Sequence, residues 1–149
     1  MKRILLVVGM LAIGLGAVSA QQDVVAQRQK LMKDNGKNLG GVLGGMVKGE
    51  KPYDQAAVDA ALTQLDQSAR TLTTLFPDST KGLKTGGDYD SSPKIWENRS
   101  DFDAHFASYS KAIGEAKTSV KDLATLKAAV PVLGKQCSGC HETYRLKNT

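Results

Sequence analysis

Apolar residues recur at spacings of three, four and seven along most of the chain, and this periodicity limits the fold more than any other feature. Such spacing places apolar side chains on one face of an α-helix, whereas a half-buried strand requires strict alternation. Aromatic residues make up only 5% of the 149 residues. Long runs of alternating β-branched residues are also missing, which disfavours a β-sandwich or barrel. The sequence therefore predicts an all-α protein with a single core.

Four amphipathic helices are predicted, and the links between most of them are short. An antiparallel up-down-up-down four-helix bundle is the simplest arrangement that buries four apolar stripes at once. Residues 77–92 form the one substantial loop, which is too polar to pack. Pro131 is expected to kink the fourth helix or displace its start. The predicted helices are Asp23 to about Lys48, Asp54 to Phe76, Ser92 to Val120 and Asp122 to Tyr144.

The first twenty residues have the composition of a secretion signal. Two basic residues precede an apolar run, Ile4–Ala17, which is followed by small residues ending at Ala20. The run is shorter than the roughly 20 residues of a membrane-spanning helix. We therefore predict that residues 1–20 are a cleaved signal peptide and that residues 21–149 form the domain. No lipidation cysteine follows the cleavage site, so the periplasm is the expected compartment, without stable membrane insertion.

The segment Cys137-Ser138-Gly139-Cys140-His141 lies on the stripe of the fourth helix and contains both cysteines of the chain. Spacings of three and four residues place the two sulfurs and the imidazole on one side of a helix, within about one turn. Thioether bonds from both cysteines could hold a haem, and the histidine could then bind its iron. The motif predicts one covalently attached haem c, with His141 as the proximal ligand.

Other chemistries of the cysteine pair are weaker interpretations. A thioredoxin-like dithiol follows a strand in a βαβ unit, which this sequence lacks, and a structural zinc site would need a fourth ligand. A disulfide at this spacing would be strained. The mild excess of basic residues is not clustered as in nucleic-acid-binding proteins, so no nucleic acid partner is expected. An iron that only alternates between the ferric and ferrous states needs no substrate, so the protein is predicted not to be an enzyme.

A second axial ligand decides what the iron can do, and the candidates are Met32, Met46 and His105. In an up-down bundle the start of the first helix lies beside the end of the fourth. At 1.5 Å per residue, Met46 is roughly 24 Å from the level of His141, whereas Met32 and His105 are within roughly 6 Å. His105 lies off the main stripe of its helix. Met32 is favoured, but a methionine on a helix face also packs commonly in a core without binding metal.

A Cys-x-x-Cys-His motif near the C-terminus of an exported four-helix bundle, here followed by Tyr144 and Arg145, resembles the cytochrome c′ family. Residues 29–36, 48–54 and 92–96 are most similar to the low-spin c-556 members, and the resemblance covers essentially the whole mature chain. In those members a methionine of the first helix completes a six-coordinate His/Met haem. The resemblance implies that Met32 occupies this position.

The resemblance also implies a role for Arg28, because an arginine near this position meets a haem propionate in many open-site relatives. A solvated surface arginine is the alternative. In the five-coordinate members a bulky residue usually replaces the methionine and leaves the iron open to nitric oxide or carbon monoxide. Methionine occurs in some of those members too, so both iron states remain open.

The predicted function is that of a periplasmic low-spin monohaem cytochrome that carries one electron, and the alternative is a five-coordinate protein that binds nitric oxide or carbon monoxide. The partners are redox proteins of unknown identity, and both a monomer and a homodimer are compatible with the glycines of the first helix. Water would be excluded from the haem by Leu31, Leu39, Phe102, Phe106 and Tyr109. Docking to an acidic partner would be guided by Lys30, Lys33, Lys135 and Lys147.

Overall fold

Four long helices contain most of the residues that the structure, a computed structural model, describes, which are 20–84 and 86–148. The predicted signal peptide lies outside these residues apart from Ala20. None of the helices in the described ranges is long and apolar enough to cross a membrane. The helices are α1 (20–47), α2 (Gln55–Leu72), the single turn α3 (Lys94–Glu97), α4 (Arg99–Ser119) and α5 (Leu123–Tyr144). The strands are β1 (Tyr89–Ser91) and β2 (Arg145–Lys147).

Contacts between helix ends show the direction of each long helix. The side chain of Arg28, early in α1, donates to the carbonyl of Leu75, just after α2. Phe76 packs edge-on against Phe102, early in α4, with ring centres 4.8 Å apart. Phe102 packs in the same way against Tyr144, at the end of α5, at 5.1 Å. Consecutive long helices are therefore antiparallel, and the predicted all-α four-helix bundle is confirmed.

Helix α1 is less regular than predicted, because it contains a π-helical segment at Lys37–Leu43. The glycines in this region have a packing role where the helix returns to α geometry. Gly44 and Gly45 are buried, and a Cβ at Gly44 would lie only 3.2 Å from the carbonyl oxygen of Leu39. π-helical turns inside α-helices are frequent at functional sites.

Two of the predicted helix boundaries are wrong. Helix α2 begins after the predicted cap Asp54 but ends at Leu72, before Phe76. The chain then tightens, since the amide of Leu75 donates to the carbonyl of Leu72 at 3.1 Å. The third predicted helix is divided at Asn98, whose φ of −130° and ψ of 61° are not helical. Tertiary packing overrides the apolar periodicity at both places.

Helix α5 begins where the sequence predicts, because Asp122 and Thr125 form a capping box. The Asp122 carboxylate accepts from the Thr125 amide at 2.8 Å, and the Thr125 hydroxyl accepts from the Asp122 amide at 3.1 Å. These bonds satisfy amides that a helix start leaves without partners. Pro131 lies inside the helix, so the expectation that it displaces the helix start is wrong.

We expect Asp122→Ala to lower the melting temperature of the holoprotein at neutral pH, by an amount that disappears in acid. Hydrogen bonds from Thr125 hold the pKa of Asp122 below its ordinary value of 3.8. The cap therefore stabilises fully above that ordinary value and is lost as the pH falls through the lowered pKa. Thermal unfolding followed by circular dichroism from pH 7 to about pH 2 measures this. Asp122→Asn, which caps without titrating, is the control; a deficit of the alanine variant that persists in acid would contradict the prediction.

The loop at residues 77–92 packs more closely than its polar composition predicts. Thr80, Asp90 and Ser92 are buried. Strand β1 pairs antiparallel with β2, and the amide of Ser92 donates to the carbonyl of Tyr144 at 3.0 Å. The prediction that this loop is too polar to pack is wrong, because pairing with the chain after α5 satisfies its backbone. We call the pair β1 and β2 the ribbon.

Candidate haem site

The buried core is divided into two clusters, and the two cysteines lie where the clusters meet. One cluster lies around Leu43, Met46 and Leu65, and the other contains the aromatic residues near the helix ends described above. Cys137 packs against the first cluster, whereas Cys140 packs against the second. The predicted attachment residues are therefore positioned at a break in the core rather than inside either part.

Two cavities, of about 310 and 470 Å³, open at this break. Met32, Phe106, Cys140 and His141 line both cavities. These volumes lie within the usual range for cofactor sites. The shared residues mark the centre of one cleft, and the two cavities are its two sides.

The two sides of the cleft differ in polarity. The smaller cavity contains Cys137 and is lined mainly by apolar groups such as Leu39 and Leu72. The larger cavity is lined by Arg28 and Arg145 together with other polar side chains. A haem c has the same asymmetry, since its thioether-linked edge is apolar and its propionate edge is anionic. The lining of the cleft is therefore compatible with a group that has one apolar edge and one anionic edge.

Cys137 and Cys140 are not joined by a disulfide. Burial raises the pKa of the Cys137 thiol, and burial together with Cys137 and Asp101 raises the pKa of Cys140 to about 11. Reactive dithiols have lowered pKa values instead. Within residues 20–84 and 86–148, no group of three or more His, Cys, Asp or Glu could hold a metal ion. The raised pKa values do not fit a redox-active dithiol.

His141 faces both cavities from the last turns of α5. Burial, and to a lesser extent Arg145, lowers the pKa of its imidazole, which favours the neutral form that binds metals. The end of α5 is fixed by Tyr144, whose hydroxyl donates to the carboxylate of Asp101 on α4. This anchor lies within one turn of His141, so it restrains the position of the imidazole.

The structure separates the three candidates for the second axial ligand. Met32 lines both cavities, from α1. Met46 is buried in the first cluster and lines neither of these cavities. His105 lines only the smaller cavity, its Nε2 lies 3.7 Å from the carboxylate of Asp101, and its ring packs edge-on against another aromatic ring. The position of Met32 thus agrees best with a ligand at the centre of the cleft.

Arg28 is only 4% exposed, so the alternative of a solvated surface arginine is wrong. Its Nη1 donates to the carbonyl of Leu75 at 3.1 Å, and its guanidinium lies 4.5 Å from the ring centre of Phe76. Burial lowers the pKa of Arg28, and the carboxylate of Asp90 opposes this shift. The side chain also lines the larger cavity. Its other N–H donors are suited to a carboxylate there.

Arg28→Ala is expected to reduce the free energy of unfolding of the holoprotein by about 2 to 3 kcal/mol, because Leu75 loses a buried donor and Phe76 loses a cation–π contact. Chemical denaturation followed by circular dichroism measures this. The control is Arg70→Ala, which removes an exposed arginine paired with Asp66 at 3.3 Å and is expected to cost about 0.5 kcal/mol or less. Equal losses in the two variants would show that Arg28 has no special structural role.

Three features of the cleft were not found by sequence analysis. Gly36 and Gly40 line the smaller cavity, and a Cβ at either position would meet nothing within 4 Å, so the wall here is open to a flat group. The hydroxyl of Tyr109 is buried and has no hydrogen-bond partner among the described residues. Residues 86–91 line the larger cavity. Only the glycines left a signal in the sequence, as an unusual cluster within a predicted helix.

Known proteins share this architecture. Residues 23–145 match the family model described as Cytochrome C′. Cytochrome c-556 of Rhodopseudomonas palustris is 55% identical over 148 residues, which cover 99% of each chain, and cytochrome c′ of the same organism is 37% identical over 147 residues, which cover 99% of this chain and 98% of the relative. An NMR-validated structural model of oxidised R. palustris cytochrome c556 matches with a TM-score of 0.76 and 56% identity, covering 86% of this chain and 99% of that one. The chain therefore belongs to the cytochrome c′ family, and it is an electron-transport protein with a covalently attached haem c.

Proposed function

We propose that this protein is a low-spin periplasmic cytochrome that carries single electrons, with His141 and Met32 as the two iron ligands. The observation that carries the proposal is that these two side chains, from α5 and α1, both line the two cavities that form the cleft. Cys137 and Cys140 would hold the haem by thioether bonds. In agreement with this, Cys137 packs against the first core cluster and Cys140 against the second, so both lie at the cleft between the clusters. Haem c supplies an iron that alternates between the ferric and ferrous states.

The protein's own residues would tune that iron. A thioether ligand from Met32 favours the ferrous state and raises the reduction potential relative to harder ligands. Apolar side chains around the cleft keep water away and limit charge reorganisation. Arg28 would pair with a propionate in the larger cavity. Leu39, Phe106 and Tyr109 line the smaller cavity, Phe102 and Phe106 line the larger one, and Leu31 packs against the second core cluster.

An absorption spectrum of the purified ferric holoprotein tests this proposal. A low-spin spectrum with a methionine-to-iron charge-transfer band at the red edge of the visible range is the expected result. A high-spin, five-coordinate spectrum would reject the electron carrier and favour the protein that binds nitric oxide or carbon monoxide. Fractionation of the producing cells, with the mass of the mature chain, tests export and cleavage after Ala20.

Four exposed lysines were predicted to guide docking, and they are not equivalent. Lys30 already forms an ion pair with Asp34 at 2.6 Å. Lys33 lines the larger cavity, whereas Lys147 belongs to the ribbon. Lys135 is exposed on α5. Acidic redox proteins are the partners that such a surface would attract.

A further inference from the structure

The ribbon has one face that combines an aromatic ring with two cations. Tyr89 lies opposite Lys147, and Ser91 lies opposite Arg145. Residues paired in this way, and residues two apart on one strand, project to the same side. The guanidinium of Arg145 also lies 4.1 Å from the ring centre of Tyr89. Tyr89, Arg145 and Lys147 therefore form a single surface, which we call the ribbon face.

The ribbon is unusually apolar for an exposed element. The large apolar side chains that are exposed in the described part of the chain are Tyr89, Leu146 and Val132. Two of the three, with 41% and 43% exposure, belong to the ribbon. Tyrosine and arginine are enriched at the centres of protein interfaces, whereas lysine is typical of the rim. Tyr89 and Arg145 on the ribbon face are thus residue types of a binding surface, whereas Leu146 projects to the opposite side of the ribbon.

The ribbon also adjoins the haem cleft. Tyr89 and Arg145 line the larger cavity, which His141 lines too. Strand β2 follows α5 without a break, so Arg145 lies four residues after His141. Electron transfer is fastest over short distances, and a protein seated on the ribbon face would lie next to the cleft.

The charges at this place select the kind of partner. Lys33, Arg145 and Lys147 are exposed cations, and they outnumber the exposed carboxylate of Asp88 beside Tyr89. Lys84 forms an ion pair with the buried carboxylate of Asp90 at 3.2 Å. Cationic side chains around an aromatic centre complement a surface that is rich in carboxylates. We infer that the ribbon face is the docking surface for an acidic redox protein. This inference rests on the proposed electron-carrier function.

Oxidation of the ferrous holoprotein by plastocyanin, an acidic copper protein, tests the inference. One electron leaves the ferrous iron and reduces Cu(II) to Cu(I), and stopped-flow absorbance gives the second-order rate constant. We expect Lys147→Glu to lower this constant about tenfold at low ionic strength and to weaken its decrease with salt. Tyr89→Ala is expected to lower it severalfold without changing the salt dependence, because the lost contact is uncharged.

Lys127→Glu is the matched control, since it makes the same change in net charge. Lys127 is exposed on α5, about 21 Å along the helix from His141. The two lysine variants are compared at ~0.1 M ionic strength, where the Debye length is about 10 Å, so a change of less than about twofold is expected for Lys127→Glu. Equal effects of Lys127→Glu and Lys147→Glu would overturn the inference, because only overall charge would then matter.

A second measurement locates the contact directly. Titration of ¹⁵N-labelled holoprotein with plastocyanin is expected to shift the amide signals of residues 89–91 and 145–147. Shifts confined to other surfaces would reject the ribbon face. Oxidation by the small cation tris(phenanthroline)cobalt(III) separates the two proposals. If the cobalt complex oxidises the ferrous protein readily but Lys147→Glu and Tyr89→Ala leave the rate constant with plastocyanin unchanged, only the docking surface is rejected. If the cobalt complex does not oxidise the ferrous protein, both the electron-carrier function and the docking surface are rejected.

Discussion

Met32→Ala is expected to convert the ferric holoprotein from a low-spin to a high-spin state and to let the ferrous protein bind carbon monoxide readily. The physical reason is that Met32 lines both sides of the cleft that His141 also lines, whereas alanine offers no donor atom. The reduction potential is expected to fall by roughly 100 mV or more, a small part of the ~0.8 V range that axial ligands span. Absorption spectra and a redox titration measure these changes.

Met46→Ala is the matched control for this experiment. It removes the same side chain from the buried first cluster, at a position that lines neither cavity of the cleft. We expect it to reduce the free energy of unfolding by about 2 to 5 kcal/mol while the spectrum stays low-spin. An unchanged spectrum of Met32→Ala would reject methionine ligation, and His105→Gln in that background would then test the other side chain at the smaller cavity.

Replacing both cysteines with alanine is expected to abolish covalent haem attachment and to prevent stable folding. The chain has only these two cysteines, so no thioether can form without them. The bundle would then be left with cavities of about 310 and 470 Å³. Without the haem, the apolar walls of this cleft would face water, and small domains are stable by only about 5 to 15 kcal/mol in total.

Denaturing gels stained for the peroxidase activity of haem, together with circular dichroism, measure this outcome. Each single variant, at Cys137 or at Cys140, retains one sulfur and is expected to show reduced rather than absent staining. Ser138→Ala, which changes an exposed residue between the cysteines, is the control and is expected to behave as the native chain. The prediction would be contradicted if the native protein showed no peroxidase staining after denaturation, or if the double variant were as stable as the native protein.

The helices were predicted well where a local signal existed. The predicted starts of α2 and α5 are confirmed. Asp54 and Asp122 cap these helices by accepting from an amide three residues later, which is an interaction within one turn. The end of α2 and the division at Asn98 were missed. After Leu72 the chain leaves helical geometry and packs Leu75 and Phe76 into the core, and no pattern within the helix encodes that.

The site was predicted in part for the same reason. The spacing of Cys137, Cys140 and His141 is a property of one helix, so the sequence alone places them on one side. The choice between Met32 and His105 was left open at first, because their heights along the bundle are similar. In the structure Met32 lines both cavities, whereas His105 lines only the smaller one and lies beside the carboxylate of Asp101. Their roles toward the iron stay predictions.

The sequence by itself determined the helical class, the starts of α2 and α5 and the haem-attachment motif, since each depends on residues within one or two turns. Only the tertiary structure decided that Arg28 is buried on a carbonyl 47 residues away, that α1 has a π-helical segment beside the cleft, and that the ribbon joins the loop to the end of α5. The physical reason is that these features arise from long-range contacts, whose energies depend on how separate parts of the chain meet. The periodicity of apolar residues along the sequence does not show which distant segments come into contact.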